Sequence, residues 1–235
     1  MIELIIYDLD GTLIDSRMDI ANAVNQTLRD LGLKGLPAER ISAFVGTGIE
    51  NLMAMVLKET GAVSKVGAPL VGALEGAGTR PAPTIKHAVK LLRRHYSEHL
   101  LDHTCLYPSV RKVLEFFKDR KQAVITNKPQ DFSMKILKGL DVSSYFFRVL
   151  GGNQGFPKKP APEPVLEILR DAGVSKEEAV LVGDSAIDVE TGRNAGVKTL
   201  AVTYGFGSRL EIENSKPDLI LTDFEELIRC PLLKN

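Results

Sequence analysis

Short apolar runs recur along the chain and predict buried β-strands. The first run opens the chain, and the other five all lie beyond residue 120. The six are ELIIYDL (3–9), QAVITN (122–127), FRVLGG (147–152), AVLVGD (179–184), KTLAVTY (198–204) and DLILTD (218–223).

Between most of these runs the apolar residues follow the period of an amphipathic helix. Strands that alternate with helices of about ten to fifteen residues indicate βαβ units. The pattern therefore predicts an α/β fold, a doubly wound, Rossmann-like parallel sheet with helices on both faces. Three helical faces carry this prediction: Val110, Val113, Leu114 and Phe117; Phe132, Ile136, Leu137 and Leu140; and Val165, Ile168, Leu169 and Ala172.

The alternation is interrupted once, directly after the first strand. Residues 16–103 show helical periodicity, including an apolar stripe that starts behind a possible cap at Ser16 and stops at Gly32. For the Gly-, Ala- and Pro-rich stretch 61–83 we predict loops around one short helix. We therefore expect a helical cap domain at 16–103, inserted into an α/β core formed by 1–15 and 104–235.

Composition narrows the possible partners and the cellular location. Lysine and arginine together number 30, as do aspartate and glutamate, so no basic excess favours a nucleic-acid partner. The two cysteines lie far apart and form no CxxC motif, which favours a reducing compartment. The N-terminus lacks the basic region of a signal peptide, and no apolar run approaches the ~18 residues of a membrane helix. We expect a cytoplasmic protein without a nucleic-acid or membrane partner.

Polar side chains stand where the predicted strands end. In an open α/β sheet, ligands bind outside the carboxyl ends of the strands, so we expect these side chains to converge on one edge. A proline-rich segment, PKKPAPEP, adds lysines in a rigid loop. Each motif alone also fits an ordinary turn, cap or surface charge, and only their joint order favours a site. The candidates are Asp8, Asp10, Thr126, Asn127, Lys158, Lys159, Asp184, Ser185 and Asp188.

Asp8 and Asp10 pose a specific electrostatic question. If both belong to a strand they point roughly the same way, and like charges ~4 Å apart repel by roughly 4 kcal/mol at an effective dielectric of 20. The pair can coexist if one carboxylate binds a metal and attacks the substrate while its neighbour carries a proton.

The charge of this edge predicts a divalent cation. Four aspartates and one lysine would leave the site strongly anionic and unable to accept a phosphate dianion. A divalent ion together with a proton on Asp10 brings the sum to zero. Because the candidate ligands are oxygen atoms and these motifs contain no His or Cys, Mg²⁺ is the favoured cofactor.

Four motifs together resemble the haloacid dehalogenase-type hydrolase superfamily, in its phosphatase branch. DLDGTLIDS resembles the superfamily's first motif, ITN its second, KKPAPEP the lysine motif and GDSAID the acidic motif. The predicted helical insertion is similar to the cap that such proteins carry after the first motif. Segments such as ITNKPQDFSMKIL and VGDSAIDVETGRNAG look like the phosphoglycolate phosphatase group. Two residues depart from that group's pattern: Tyr7 replaces a Phe, and Ser109 stands where Gly is typical.

The resemblance implies catalytic roles for four residues. Asp8 would attack phosphorus and form an aspartyl-phosphate. Asp10 would protonate the leaving alcohol and then activate the hydrolytic water. Thr126 would bind the phosphoryl group, and Lys159, rather than Lys158, would neutralise the charge on nucleophile and phosphoryl.

The resemblance also implies the metal ligands and the remaining substrate contact. Asp8, the backbone carbonyl of Asp10 and Asp184 would bind Mg²⁺, with Asp188 in or just behind the coordination sphere. The amide of Asn127 would help Thr126 to hold the phosphoryl group.

The cap is expected to determine the choice of substrate. Within it, FVGTGIE (44–50) is the candidate contact, because the glycines beside Thr47 would let backbone amides approach a substrate carboxylate. Gly46 and Thr47 are therefore predicted to bind substrate, although an ordinary interhelical turn explains the segment equally well.

We predict a Mg²⁺-dependent phosphomonoesterase for a small phosphorylated metabolite, with 2-phosphoglycolate as the first candidate substrate. Three alternatives stay open: a hydrolase of another organophosphate or pyrophosphate, a phosphosugar mutase of the same superfamily, and a non-catalytic module that binds a phosphorylated ligand.

Overall fold

The computed structural model describes residues 1–62 and 84–233. The six predicted strands form one sheet, each at or within its predicted run apart from one residue at the start of β4. They are β1 (Leu4–Tyr7), β4 (Lys121–Ile125), β5 (Arg148–Leu150), β6 (Ala179–Gly183), β7 (Lys198–Val202) and β8 (Leu219–Leu221).

The sheet is entirely parallel, with the strand order β5-β4-β1-β6-β7-β8. The chain therefore places β1 in the middle, adds β4 and β5 on one side and returns to add β6, β7 and β8 on the other. This order confirms the doubly wound α/β fold. The switch in direction occurs next to β1, the position where ligands bind in such sheets.

Alternate residues of the central strands serve two different cores. Ile5 and Tyr7 face the larger core, whereas Leu4 and Ile6 face a smaller one on the opposite side of the sheet. All four are fully buried, which requires helices on both faces. The near-continuous apolar runs of the sequence are explained by this burial on both sides.

Nine α-helices surround the sheet or form the insertion within the described residues. Those between β1 and β4 include the four helices of the insertion, α1 (Arg17–Asp30), α2 (Ala38–Ser42), α3 (Ile49–Glu59) and α4 (Ile85–Glu98). The helices of the core are α5 (Val110–Phe116), α6 (Gln130–Gly139), α7 (Glu163–Ala172), α8 (Ala186–Ala195) and α9 (Arg209–Ser215). Of the stretch with the predicted loops and short helix, residues 63–83 lie outside the described residues.

A second, two-stranded antiparallel sheet lies where the chain enters and leaves the insertion. It pairs β2 (Ile14–Asp15) with β3 (Cys105–Leu106) and was not predicted from the sequence. The predicted boundaries at 15/16 and 103/104 lie beside this ribbon. The buried Asp19 carboxylate strengthens the junction by accepting hydrogen bonds from the backbone amides of His103 and Thr104 and from the Thr104 hydroxyl.

Two local features explain details of the sequence. Ser109, which precedes α5, has a φ of 63°, in the left-handed region that favours glycine, and this accounts for the Gly expected at that position. Ser16 precedes α1 as predicted, but its side chain makes no capping bond to that helix. Among the described residues, no helix combines the length and the apolarity that a membrane span requires.

Candidate active site

The carboxyl ends of β1, β4 and β6 bring the predicted site residues to one edge of the sheet. Asp8 directly follows β1, Thr126 directly follows β4 and Asp184 directly follows β6. Asp188 lies in the first turn of α8, and Lys159 reaches the same place from the loop between β5 and α7. All five are buried.

Three of the four predicted metal-binding aspartates form a compact cluster. Carboxylate oxygens of Asp8, Asp184 and Asp188 lie within 4.8 Å of one another. Burial removes water from these oxygens, and three carboxylates at this spacing repel one another unless a cation is shared between them. The donor set is entirely oxygen and therefore fits a hard divalent cation such as Mg²⁺.

Asp184 is held by a shell of hydrogen-bond donors. Its Oδ1 accepts from the Thr12 hydroxyl at 3.0 Å, and its Oδ2 accepts from the backbone amides of Phe206 at 2.7 Å and Gly207 at 3.3 Å. Glycine is required at position 11, because a Cβ there would lie 2.2 Å from Asp184 Oδ2. The carboxylate is therefore fixed in orientation before any ligand arrives.

Asp188 links the cluster to a lysine. One of its oxygens closes a capping box at the start of α8 by accepting from the amide and the hydroxyl of Ser185. The other oxygen lies 2.6 Å from Lys159 Nζ, and the same ammonium lies 2.7 Å from Asp8 Oδ1. Lys159 thus bridges the proposed nucleophile and the acid at the helix terminus.

The pKa values of these groups reflect burial and mutual repulsion. Burial raises the pKa of Asp8 well above its usual value; Lys159 opposes this shift, and the neighbouring carboxylates add to it. Burial, followed by repulsion from Asp188, raises the pKa of Asp184 to about 7. For Lys159 burial lowers the pKa, but Asp188 and Asp8 outweigh it and the net shift is upward. The cluster is therefore short of positive charge.

Asp10 is not part of this cluster and pairs with a different lysine. Lys128 Nζ lies 2.7 and 2.9 Å from the two carboxylate oxygens of Asp10, and the Ser16 hydroxyl donates to the same group. Burial lowers the pKa of Lys128, yet Asp10 outweighs it and raises the pKa overall. The structure therefore separates Asp8 from Asp10 by giving each carboxylate a different ammonium partner.

This second lysine changes the charge balance derived from the sequence. Two lysines rather than one face the four aspartates, so the net charge of the group is −2. A divalent cation brings that sum to zero with Asp10 ionised. A proton on Asp10 is thus not needed to balance the charge before substrate binds.

The loop after β4 also contacts the insertion. The Asn127 side-chain amide donates to the backbone carbonyls of Gly46 at 2.8 Å and Lys159 at 3.2 Å, and its oxygen accepts from the Lys159 amide at 2.9 Å. The Thr126 hydroxyl accepts from the amide of Lys128 at 3.2 Å. Asn127, which directly follows Thr126, thus connects Gly46 of the insertion to the backbone of Lys159.

A cavity opens between this edge and the insertion. Its core side contains Asp8, Asp10, Thr126, Asn127 and Lys128, and its cap side is mostly apolar. The cavity has a volume of about 50 Å³, enough for a few water molecules. Pro129 and Phe132 of the core also line the cavity. The residues on the cap side are Ile20, Val45, Gly46, Gly48, Ile49, Leu52, Leu92 and Tyr96.

Of the two predicted substrate contacts in the cap, Gly46 lines the cavity and Thr47 does not. Gly46 borders the cavity with a φ of 105°, as does Gly48 with a φ of 94°. Thr47 is not among the residues that line the cavity, and its hydroxyl donates to the backbone carbonyl of Phe44. The roles of Gly46 and Thr47 in substrate binding stay predictions. Lys158 pairs with Glu50 of α3 rather than with the carboxylate cluster.

Sequence reasoning missed Lys128. Its only sequence signal is its position directly after the ITN motif. That signal is weak, because lysine usually lies on the surface. The backbone donors to Asp184, Phe206 and Gly207, were also missed. They lie at and directly after the end of the segment VTYGF (202–206).

A family model described as haloacid dehalogenase-like hydrolase matches residues 5–202 of the chain. The chain belongs to the haloacid dehalogenase-like hydrolase family. It is 34% identical to a phosphoglycolate phosphatase from Aquifex aeolicus, over 96% of this chain and 95% of that protein. It is 36% identical to a phosphoglycolate phosphatase from Photorhabdus laumondii, over 97% and 91% respectively.

Solved structures of the haloacid dehalogenase-like family share the fold over nearly the full length. A crystal structure described as a predicted phosphoglycolate phosphatase from Haemophilus somnus superposes with a TM-score of 0.83 at 28% identity, covering 97% of both chains. The family membership inferred from the four motifs is thereby confirmed.

Proposed function

We propose that the protein is a Mg²⁺-dependent phosphomonoesterase that hydrolyses 2-phosphoglycolate through an aspartyl-phosphate on Asp8. The single observation that carries the proposal is the buried cluster of Asp8, Asp184 and Asp188 around Lys159. The two curated relatives named above, both phosphoglycolate phosphatases, support this choice of substrate.

Asp8, Asp184 and Asp188, with the backbone carbonyl of Asp10, would hold the metal ion. When bound, Mg²⁺ supplies positive charge that lets an anionic phosphate ester approach these carboxylates. The remaining charge compensation comes from the Lys159 ammonium, already 2.7 Å from Asp8 Oδ1. Phosphoryl transfer depends mainly on such positioning and electrostatic stabilisation.

The reaction divides into two steps that use the same residues. Asp10 takes up a proton when the ester binds; an Asp8 oxygen then attacks phosphorus while Asp10 delivers this proton to the departing ester oxygen, which releases the alcohol. Asp10, now a carboxylate, accepts a proton from the water that attacks the phosphoryl group and frees Asp8. Thr126 and the amide of Asn127 hold the phosphoryl oxygens in both steps.

A panel of phosphate esters tests the proposal. Phosphate release would be measured from 2-phosphoglycolate, sugar phosphates and pyrophosphate, each with Mg²⁺ and with EDTA. We expect the highest kcat/KM for 2-phosphoglycolate and loss of turnover in EDTA. Equal rates across the panel would contradict the assignment of 2-phosphoglycolate as the substrate. Unchanged rates in EDTA would contradict the requirement for a metal ion.

A further inference from the structure

Lys128 is a buried charge that the proposed reaction does not use. Of the described residues that line the cavity, it alone is positively charged. Its side chain is 4% exposed, so its burial must be offset by specific partners. Two of its three ammonium donors are directed to Asp10, and a third can serve another acceptor.

Tyr96 of α4 lies beside this ammonium. Lys128 Nζ is 4.8 Å from the centre of the Tyr96 ring. The Tyr96 hydroxyl is buried; the Lys128 ammonium is the donor beside it, and no described residue accepts the hydroxyl's own proton. A buried donor without an acceptor costs free energy, so this hydroxyl is suited to a group that the cavity receives.

The other cap residues that the structure describes around the cavity offer a polar substrate no side-chain partner. The lining residues there are aliphatic, apart from two glycines and Tyr96 itself. A cation and a hydroxyl donor without an acceptor form, in an apolar setting, a selective receptor for an anion, because electrostatic interactions strengthen where water is excluded.

We propose that Lys128 and Tyr96 bind a carboxylate on the leaving-group side of the phosphate ester, so that Lys128 selects phosphorylated small acids over neutral esters. This inference rests on the proposed function, because it locates the reacting phosphoryl group at Asp8. Lys128 is a specificity residue in this role, shared between Asp10 and the substrate carboxylate.

The geometry sets the length of the substrate. A leaving oxygen hydrogen-bonded to Asp10 would lie within about 5.5 Å of Lys128 Nζ, since each of the two contacts in series spans about 2.7 Å. A carboxylate one methylene beyond that oxygen reaches the ammonium directly. A neutral group at the same place would leave Lys128 bound to Asp10 alone and gain nothing from the receptor.

Binding of two matched phosphonates tests this role without turnover. The probes are 3-phosphonopropionate, which keeps the terminal carboxylate, and propylphosphonate, which lacks it, both titrated calorimetrically with Mg²⁺ present. In Lys128→Met we expect about 30- to 100-fold weaker binding of 3-phosphonopropionate, the loss typical of a charged hydrogen bond. Propylphosphonate binding should change by less than about 3-fold, since no contact to it is lost.

Two further variants complete the design. Tyr96→Phe removes only the hydroxyl and should weaken 3-phosphonopropionate by about 3- to 10-fold, as expected for one neutral hydrogen bond. Lys135→Met makes the same substitution at an exposed position of α6 outside the cavity and should change neither probe. Retained propylphosphonate binding also shows that each variant is folded.

Equal weakening of both phosphonates by Lys128→Met, or weakening of neither, would overturn the role of Lys128. Failure of the proposed function has a different signature: the wild-type protein would hydrolyse none of the phosphate esters, even with the carboxylate preference of binding intact.

Discussion

The core side of the cavity carries many charged groups, whereas the cap residues described around the cavity carry none. On the core side Asp8 and Asp10 each meet a buried lysine, and the donors around Asp184 come from two separate segments, at Thr12 and at Phe206 and Gly207. On the cap side aliphatic residues from several helices and loops provide shape and exclude water. Under the proposed function, bond breaking would take place at the strand ends, and the cap would contribute enclosure.

Lys128 connects these two regions. It lies in the loop between β4 and α6, yet it packs against Tyr96 of the cap helix α4. Charge-based specificity can therefore come from the core, although it acts in the part of the cavity that the cap encloses.

The largest effect is expected on the core side, from Asp8→Asn. The amide keeps the size of the side chain but is a poor nucleophile, so kcat should fall by at least about 10³-fold. Steady-state kinetics on 2-phosphoglycolate would measure this loss, with circular dichroism to verify the fold. Turnover close to that of the wild type would contradict the role of Asp8 as the nucleophile.

Neighbouring lysines offer a matched pair for the next test. Lys159→Met removes the ammonium between Asp8 and Asp188, and we expect kcat/KM to fall by about 10²- to 10³-fold. Lys158→Met makes the same change one residue earlier, where the partner is Glu50, and should cost less than about 5-fold. Similar losses of kcat/KM in the two variants would contradict the assignment of Lys159, rather than Lys158, to the active site.

The carboxylate cluster predicts an unusual dependence of stability on pH. In the metal-free fold the pKa of Asp184 is raised to about 7, compared with about 4 in an unfolded chain. The folded state then holds the extra proton between these values, so this group's contribution to stability falls as pH rises from about 4 to 7.

Thermal unfolding of wild type and Asp184→Asn in EDTA measures that contribution. The variant should gain stability relative to wild type between pH 5 and pH 7.5, by on the order of a few kcal/mol. Asp218→Asn is the matched control: Lys198 and Thr199 overcome the effect of burial and lower the pKa of Asp218. That variant should show no such gain. Excess Mg²⁺ should reverse the Asp184→Asn difference at pH 7.5, and a pH-independent difference would contradict the cluster's charge deficit.

The smallest effect is expected where cap and core meet at the surface. Glu50→Gln breaks the pair with Lys158, but the Glu50 side chain is 58% exposed. Exposed ion pairs contribute little, so stability should change by less than about 1 kcal/mol and KM by less than about 3-fold. Thermal denaturation and kinetics would detect a larger change, which would indicate that this pair controls access to the cavity.

Most of the core could be predicted from the sequence because its signals are local. Apolar runs located the six strands, and the order of the strand-end motifs brought Asp8, Thr126 and Asp184 to one edge. The short ribbon of β2 and β3 was missed, since two residues per strand carry no periodicity.

Lys128 could not be predicted because its environment is set by contacts distant in sequence. Its carboxylate partner lies 118 positions away, and the ring beneath it belongs to the cap. Lysine is rarely buried without a partner, and the sequence around Lys128 does not show that Asp10 lies within reach. The mainly apolar cap side is likewise set by how the helices of the insertion pack.

Chemical trapping on the enzyme during turnover tests the central claim most directly. Borohydride reduces an acyl phosphate to an alcohol, so quenching the enzyme with borohydride while it turns over 2-phosphoglycolate marks the residue that carried the phosphoryl group. Mass spectrometry should find the reduced side chain at Asp8, and not at Asp10, Asp184 or Asp188. Undiminished turnover with Asp8 unmodified, or reduction at another aspartate, would contradict the account.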